Sequence, residues 1–88
     1  MRIQKKPFVL DAWVLPEPNV HVSDTPNWVL EAMENKTFCV AYGTSYDVHT
    51  IEGIMTGYKG DVLVKGIEGE LYIIAKRIFD ITYDIVEV

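Results

Sequence analysis

His21 and His49 are the two histidines of the chain, and Cys39 is its one cysteine. A metal site would need those imidazoles joined by carboxylates or a thiolate at converging positions. His49 falls in mid-strand and His21 in a loop before a helix. No H-x-x-H, C-x-x-C or D-x-D spacing gathers ligands, so the pattern predicts surface or half-buried histidines and no metal or other cofactor. Cys39, between Phe38 and Val40, reads as a small buried apolar residue. A lone cysteine makes no intramolecular disulfide, and nothing points to secretion. Thr44 and Ser45 are the hydroxyls nearest His49. Ser45 lies four residues from His49, about 13 Å apart along an extended strand. That is too far for a base to activate a nucleophile. Glu68 and Glu70 flank a glycine turn, where no deep groove separates two acids as glycoside hydrolysis requires. The spacing assigns no catalytic residue, and the chain is read as a non-enzyme.

Binding chemistry is better represented. Exposed aromatics beside polar groups are plausible anchors for a protein partner or a planar ligand. Asp24, Asn27, Trp28, Tyr42, Tyr46 and Tyr58 form the candidate partner-binding set, with Trp13 a further exposed contact. The formal net charge of −5 and the scattered positions of Lys5, Lys6, Lys59, Lys65, Lys76 and Arg77 argue against a nucleic-acid stripe. Gly66-Ile67-Glu68-Gly69 has the outline of a phosphate-clamping G-x-x-G loop, but Glu68 inside it would repel phosphate. No signal peptide or membrane span is legible, so a soluble intracellular protein is expected.

These side chains must be positioned by a small frame. The 88 residues predict one domain, with 49% hydrophobic residues, a high value that makes self-association a live expectation. Alternation predicts a first strand over Pro7–Leu15. Both of its faces are largely apolar, so it should be central or covered on both sides. Val20-His21-Val22 is a short extended piece. Asp24 or Thr25 should cap a helix over Pro26–Asn35, with Pro26 in its first turn and Trp28, Val29, Ala32 and Met33 on one face. Strands follow at 37–42, 46–51, 54–56, 61–65 and 70–75, with turns at Gly53 and Gly60. Gly66 and Gly69 should supply positive φ to the last hairpin. Lys65 and Glu70 should pair across it. A helix of one to two turns at 76–83 and a closing edge strand at 84–88 complete the reading. The fold class is α+β: a mostly antiparallel curled sheet or partial barrel with one main helix and a short C-terminal helical turn.

Several of these segments together resemble a family of small proteins encoded by tailed bacteriophages and prophages. The carriers are Lys5-Lys6-Pro7-Phe8-Val9-Leu10-Asp11-Ala12, then Thr50-Ile51-Glu52-Gly53-Ile54-Met55, then Gly60 through Tyr72, then Phe79-Asp80-Ile81-Thr82-Tyr83. Within them Gly53, Gly60, Asp61, Lys65, Gly66, Gly69, Glu70 and Tyr72 are the structural motif. The chain departs from the family pattern at Val62, where Tyr or Trp is usual, and at Ile73, where Pro is usual. The middle, from Pro16 to Tyr46, has no counterpart. The resemblance implies phage origin, a small α+β domain and no established activity. It therefore suggests an accessory protein in the cytoplasm of an infected bacterium. Such a protein would act by binding a host protein or a small signalling molecule, as in inhibition of a defence factor. A homo-oligomeric structural or assembly protein of the phage is the alternative.

Overall fold

The computed structural model describes residues 1–19 and 23–86. Its elements are β1 (Asp11–Val14), α1 (Asn27–Glu34), β2 (Phe38–Ala41), β3 (Ser45–Thr50), β4 (Gly53–Gly57), β5 (Val62–Lys65), β6 (Leu71–Ile74) and α2 (Lys76–Thr82). The α+β class is as expected. The strands divide between two antiparallel sheets, ordered β1-β5-β6 (sheet A) and β2-β3-β4 (sheet B), and do not close into a barrel.

Strand alternation decides which residues meet between the sheets. Cross-strand register aligns Trp13, Leu63 and Ile73 on one face of sheet A. It aligns Phe38, Val48 and Met55 on one face of sheet B. Leu63, Ile73, Phe38, Val48 and Tyr46 join Leu15, Val29 and Ala32 in one core. Phe38 is fully buried, stacked on Tyr46 at 5.3 Å and edge-on to Trp13 at 6.4 Å. Burying a side chain of that size contributes about 2–3 kcal/mol. Gly57 permits the close approach of the two sheets, because a Cβ there would stand 2.7 Å from Ile73 Cγ2 and 3.2 Å from Leu15 Cδ1.

Helix α1 presents Val29 and Ala32 to the core, with Trp28 and Met33 half-buried beside them. Pro26 occupies the cap position itself, one residue earlier than expected, in extended backbone. Its carbonyl accepts the free N–H groups of Val29 at 3.0 Å and Leu30 at 3.1 Å. The helix stops at a Schellman arrangement. Lys36 takes a left-handed φ of 65°, and its N–H donates to the Met33 carbonyl while that of Thr37 donates to Ala32.

Two expectations are revised. The first strand is shorter than Pro7–Leu15 and, among the described residues, is an edge strand, not a central one: β5 is its only neighbour there, and Phe8, Val9, Ala12 and Val14 are exposed. No strand forms over Asp84–Val86, while Glu87 and Val88 lie outside the described residues. So do Val20, His21 and Val22, on which the short extended piece and one histidine were read. Among the described residues no helix is long and apolar enough to cross a membrane.

Candidate functional site

The Gly60–Tyr72 motif is a frame. Gly60 takes φ 93°, where L side chains are strained. Asp61 next to it works on two elements at once. One carboxylate oxygen accepts the Tyr58 N–H at 2.9 Å, and the other accepts the Lys76 N–H at 3.0 Å. Ala75, which caps α2, has no side chain able to do this, so a residue fifteen positions upstream satisfies the first turn. In the last hairpin Gly69 has the expected positive φ of 85°, but Gly66 does not. A Cβ at Gly66 would meet only the Glu70 carboxylate, the movable end of an exposed side chain, so neither φ nor space demands glycine there. That carboxylate accepts the Glu68 N–H at 3.1 Å. The expected Lys65–Glu70 ion pair does not form: among the described residues the ion pairs are Lys59–Glu17 and Lys76–Asp80. Register explains this, because Lys65 stands opposite Leu71 and Asp11 while Glu70 folds back over its own turn. Gly53, at φ 131°, turns β3 into β4, and Thr50 braces it by donating to the Gly53 carbonyl at 2.8 Å. Tyr72 is half-buried beneath α2. Burial, then the neighbouring charge and hydrogen bond of Tyr83, then Glu70, raise its phenol above the ordinary value.

The candidate partner-binding residues separate into three groups. Tyr46 leaves the set. It is 2% exposed, stacked on Phe38, and its hydroxyl donates to the Pro16 carbonyl at 2.8 Å. Trp13 likewise packs half-buried against Phe38 and is no free contact. Tyr42 and Tyr58 are exposed and lie at one end of sheet B. Tyr42 follows β2 in the turn to β3, and Tyr58 follows β4 just past the Tyr46–Gly57 pair. Tyr42 is 99% exposed. The turn has positive φ at both central positions, 54° at Tyr42 and 71° at Gly43, and the Thr44 N–H closes it on the Ala41 carbonyl at 3.3 Å. Asn-Gly is the favoured pair for that geometry, and here tyrosine stands in the place of asparagine. Asn19 reaches over from the preceding loop, donating its amide to the Gly43 carbonyl at 3.4 Å. Asp24 and Asn27 are exposed at the start of α1.

Trp28 belongs to a different place. It lines an open cleft of about 560 Å³ between α1, the β3–β4 turn and the β5–β6 hairpin. Glu31, Asn35, His49, Lys65 and Leu71 share its walls. The cleft lies by the far end of β3 from Tyr42, six residues or about 20 Å away. Sequence reasoning did not assemble it, because its walls come from segments up to 43 positions apart in sequence, from Trp28 to Leu71, that only the packing of α1 and sheet A against sheet B brings together. Trp28 is the one member of the candidate partner-binding set that lines it, alongside Lys65, Gly69 and Glu70 of the structural motif. His49 is exposed on β3, as read, and Ser45 donates its hydroxyl to the Ala41 carbonyl at 3.1 Å. Cys39 is half-buried, opposite Asp47, rather than a core residue. It falls on the face of sheet B turned away from Phe38 and Val40, which is why burial is incomplete. Among the described residues no three His, Cys, Asp or Glu side chains gather to hold a metal ion.

No protein-family model, curated protein or solved structure matches the chain.

Proposed function

We propose that this is a bacteriophage accessory protein that acts by binding, and that it engages a host protein, such as a defence factor, through the aromatic end of sheet B. The observation that carries the reading is Tyr42. A left-handed backbone costs a bulky L residue about 1 kcal/mol or more. An aromatic ring left in water returns none of that within the protomer. The residue is 99% exposed at φ 54°. Tyrosine in that position is accounted for by a contact made outside the chain, where tyrosine anchors are enriched. Tyr58 on the same end, with Lys59 and Glu17 paired at 3.2 Å beside it, extends the surface with a polar margin. The resemblance of its spaced motifs to those of phage and prophage proteins supports the origin, and the cytoplasm of an infected bacterium is then where the protein would work.

The test is capture from host lysate by the tagged full chain, comparing the natural sequence with Tyr42→Ala and Tyr58→Ala together. The expected result is a host protein retained by the first and lost by the second. Identical capture by both, or capture of nothing with no effect of expression on host defence, ends the reading. A small signalling molecule is a second occupant to consider. The cleft at Trp28 favours it, since a flat aromatic wall lies with Lys65, which has no acid partner among the described residues.

A further inference from the structure

The free edge of β1 carries an inference that goes beyond host binding and does not depend on it. A protein of 10.0 kDa should expose about 5,200 Å² if it is an ordinary globular monomer. This one exposes 6991 Å². The radius of gyration is 13.5 Å, where a compact domain of this length has about 12 Å. Part of the exposed apolar surface lies where the sequence pattern and the protomer disagree. Residues 7–15 alternate as a strand with two apolar faces, yet among the described residues only Asp11–Val14 pair, and only with β5. Val9 remains 68% exposed and Val14 59%.

The edge is open in its backbone as well. The Leu15 N–H donates to the Asp61 carbonyl at 2.8 Å, and the Leu15 carbonyl accepts from Gly60 at 2.9 Å. Antiparallel alternation then directs the N–H and C=O of Val14 and Ala12 away from sheet A. Natural edges are blunted by an inward charge, a lysine or a bulge. Between Asp11 and Val14 there is none beyond Asp11 itself. Of the charges along this stretch, Arg2, Lys5 and Lys6 precede the segment, Asp11 lies at its centre and Glu17 follows it. Antiparallel pairing of the segment with itself sets Lys5 of each copy toward Glu17 of the other, with Asp11 at the axis.

We propose that the protein is a twofold dimer in which β1 of one protomer pairs antiparallel with β1 of a second copy. The two three-stranded A sheets become one six-stranded sheet, and each β1 becomes the central strand its alternation predicts. The pairing extends back over Phe8–Leu10, which have no strand partner among the described residues. A standard interface removes about 800 Å² per partner, well within the excess. A homo-oligomeric role in phage assembly would use the same edge.

Light scattering and sedimentation of the full chain over a hundredfold concentration range provide the test, with two variants. Ala12→Pro removes an outward N–H that β5 does not use. Val14→Lys leaves the backbone whole and puts a charge on the exposed face of the edge. The natural chain is expected to sediment as a dimer. Both variants should be monomers, or dimers weakened about 100-fold, with unchanged circular dichroism. Should Ala12→Pro fail to fold, Val14→Lys decides alone. A natural chain that stays monomeric at the highest concentration overturns the proposal, and so does a dimer that survives Val14→Lys unweakened.

Discussion

Two four-residue reversals, Ala41–Thr44 and Tyr58–Asp61, are closed by the same backbone hydrogen bond, from the fourth N–H to the first carbonyl. In the second, the left-handed position is filled by Gly60, and the neighbouring Asp61 spends both carboxylate oxygens on backbone N–H groups. Every local choice there agrees with the fold. In the first, both central positions are left-handed, and the first of them holds Tyr42, whose ring touches water on almost all sides. Local rules are obeyed where a turn only has to fold, and broken where a side chain is held out for another use. The recognisable motif lies on the obedient turn, and the candidate for function on the other.

The largest effect that bears on this contrast is expected at Asp61. Asp61→Ala frees the Tyr58 N–H and removes the acceptor for the first turn of α2 at one stroke. Partial exposure moderates the loss, which should be about 2 kcal/mol by denaturant unfolding. Asp61→Asn keeps one acceptor oxygen and should fall between. If Asp61→Ala is neutral, the Gly60 turn is not the brace described, and the contrast loses one side.

Tyr46 sharpens the comparison from within, because it stands four residues from Tyr42 and is buried where Tyr42 is bare. Tyr46→Phe leaves the Pro16 carbonyl without its donor and should cost about 1 kcal/mol at neutral pH. It should also change the alkaline limb of stability. Burial first, and then the charge of Glu17, raise the Tyr46 phenol above its ordinary value of 10.0. Above that pH the unfolded chain gives up the proton while the folded chain keeps it. The unfolded state therefore binds fewer protons, and stability falls as pH rises from about 10, by up to ~1.4 kcal/mol per pH unit for each such tyrosine. Tyr72 behaves alike. Tyr46→Phe should remove one of these two contributions, visible as a shallower decline between about pH 10 and 11. An unchanged slope would mean that Tyr46 is more accessible than its contacts indicate.

The elements themselves were legible because their signals are local. Val29 and Ala32 at helical spacing, and Gly53, Gly60 and Gly69 at reversals, place α1 and three turns within a residue or two. Positions decided by tertiary contact were not legible. Nothing near Asp61 announces that it serves Lys76, and Lys65 beside Glu70 looked like a pair until register put Leu71 opposite the lysine. Tyr46 and Tyr42 are indistinguishable as residue types; strand alternation turned one onto Phe38, and a turn carried the other outward. The cleft at Trp28 needed three separate segments to converge. For β1 the pattern announced a strand covered on both sides, and the protomer covers one.

The smallest expected change in stability is the most telling one. Tyr42→Asn replaces a bulky residue by one that tolerates the left-handed region and favours this turn with Gly43. No packing is lost, since the ring packs on nothing in the chain. Unfolding should therefore become harder by about 0.5–1 kcal/mol. If the proposed host protein binds there, its capture should weaken in the same variant, so that stability and binding move in opposite directions. A merely structural tyrosine predicts that they fall together. A tyrosine of no consequence predicts that stability rises while binding holds. Should Tyr42→Asn lower stability, the strain assigned to φ 54° is absent, and the two reversals no longer differ in the way that singles out Tyr42.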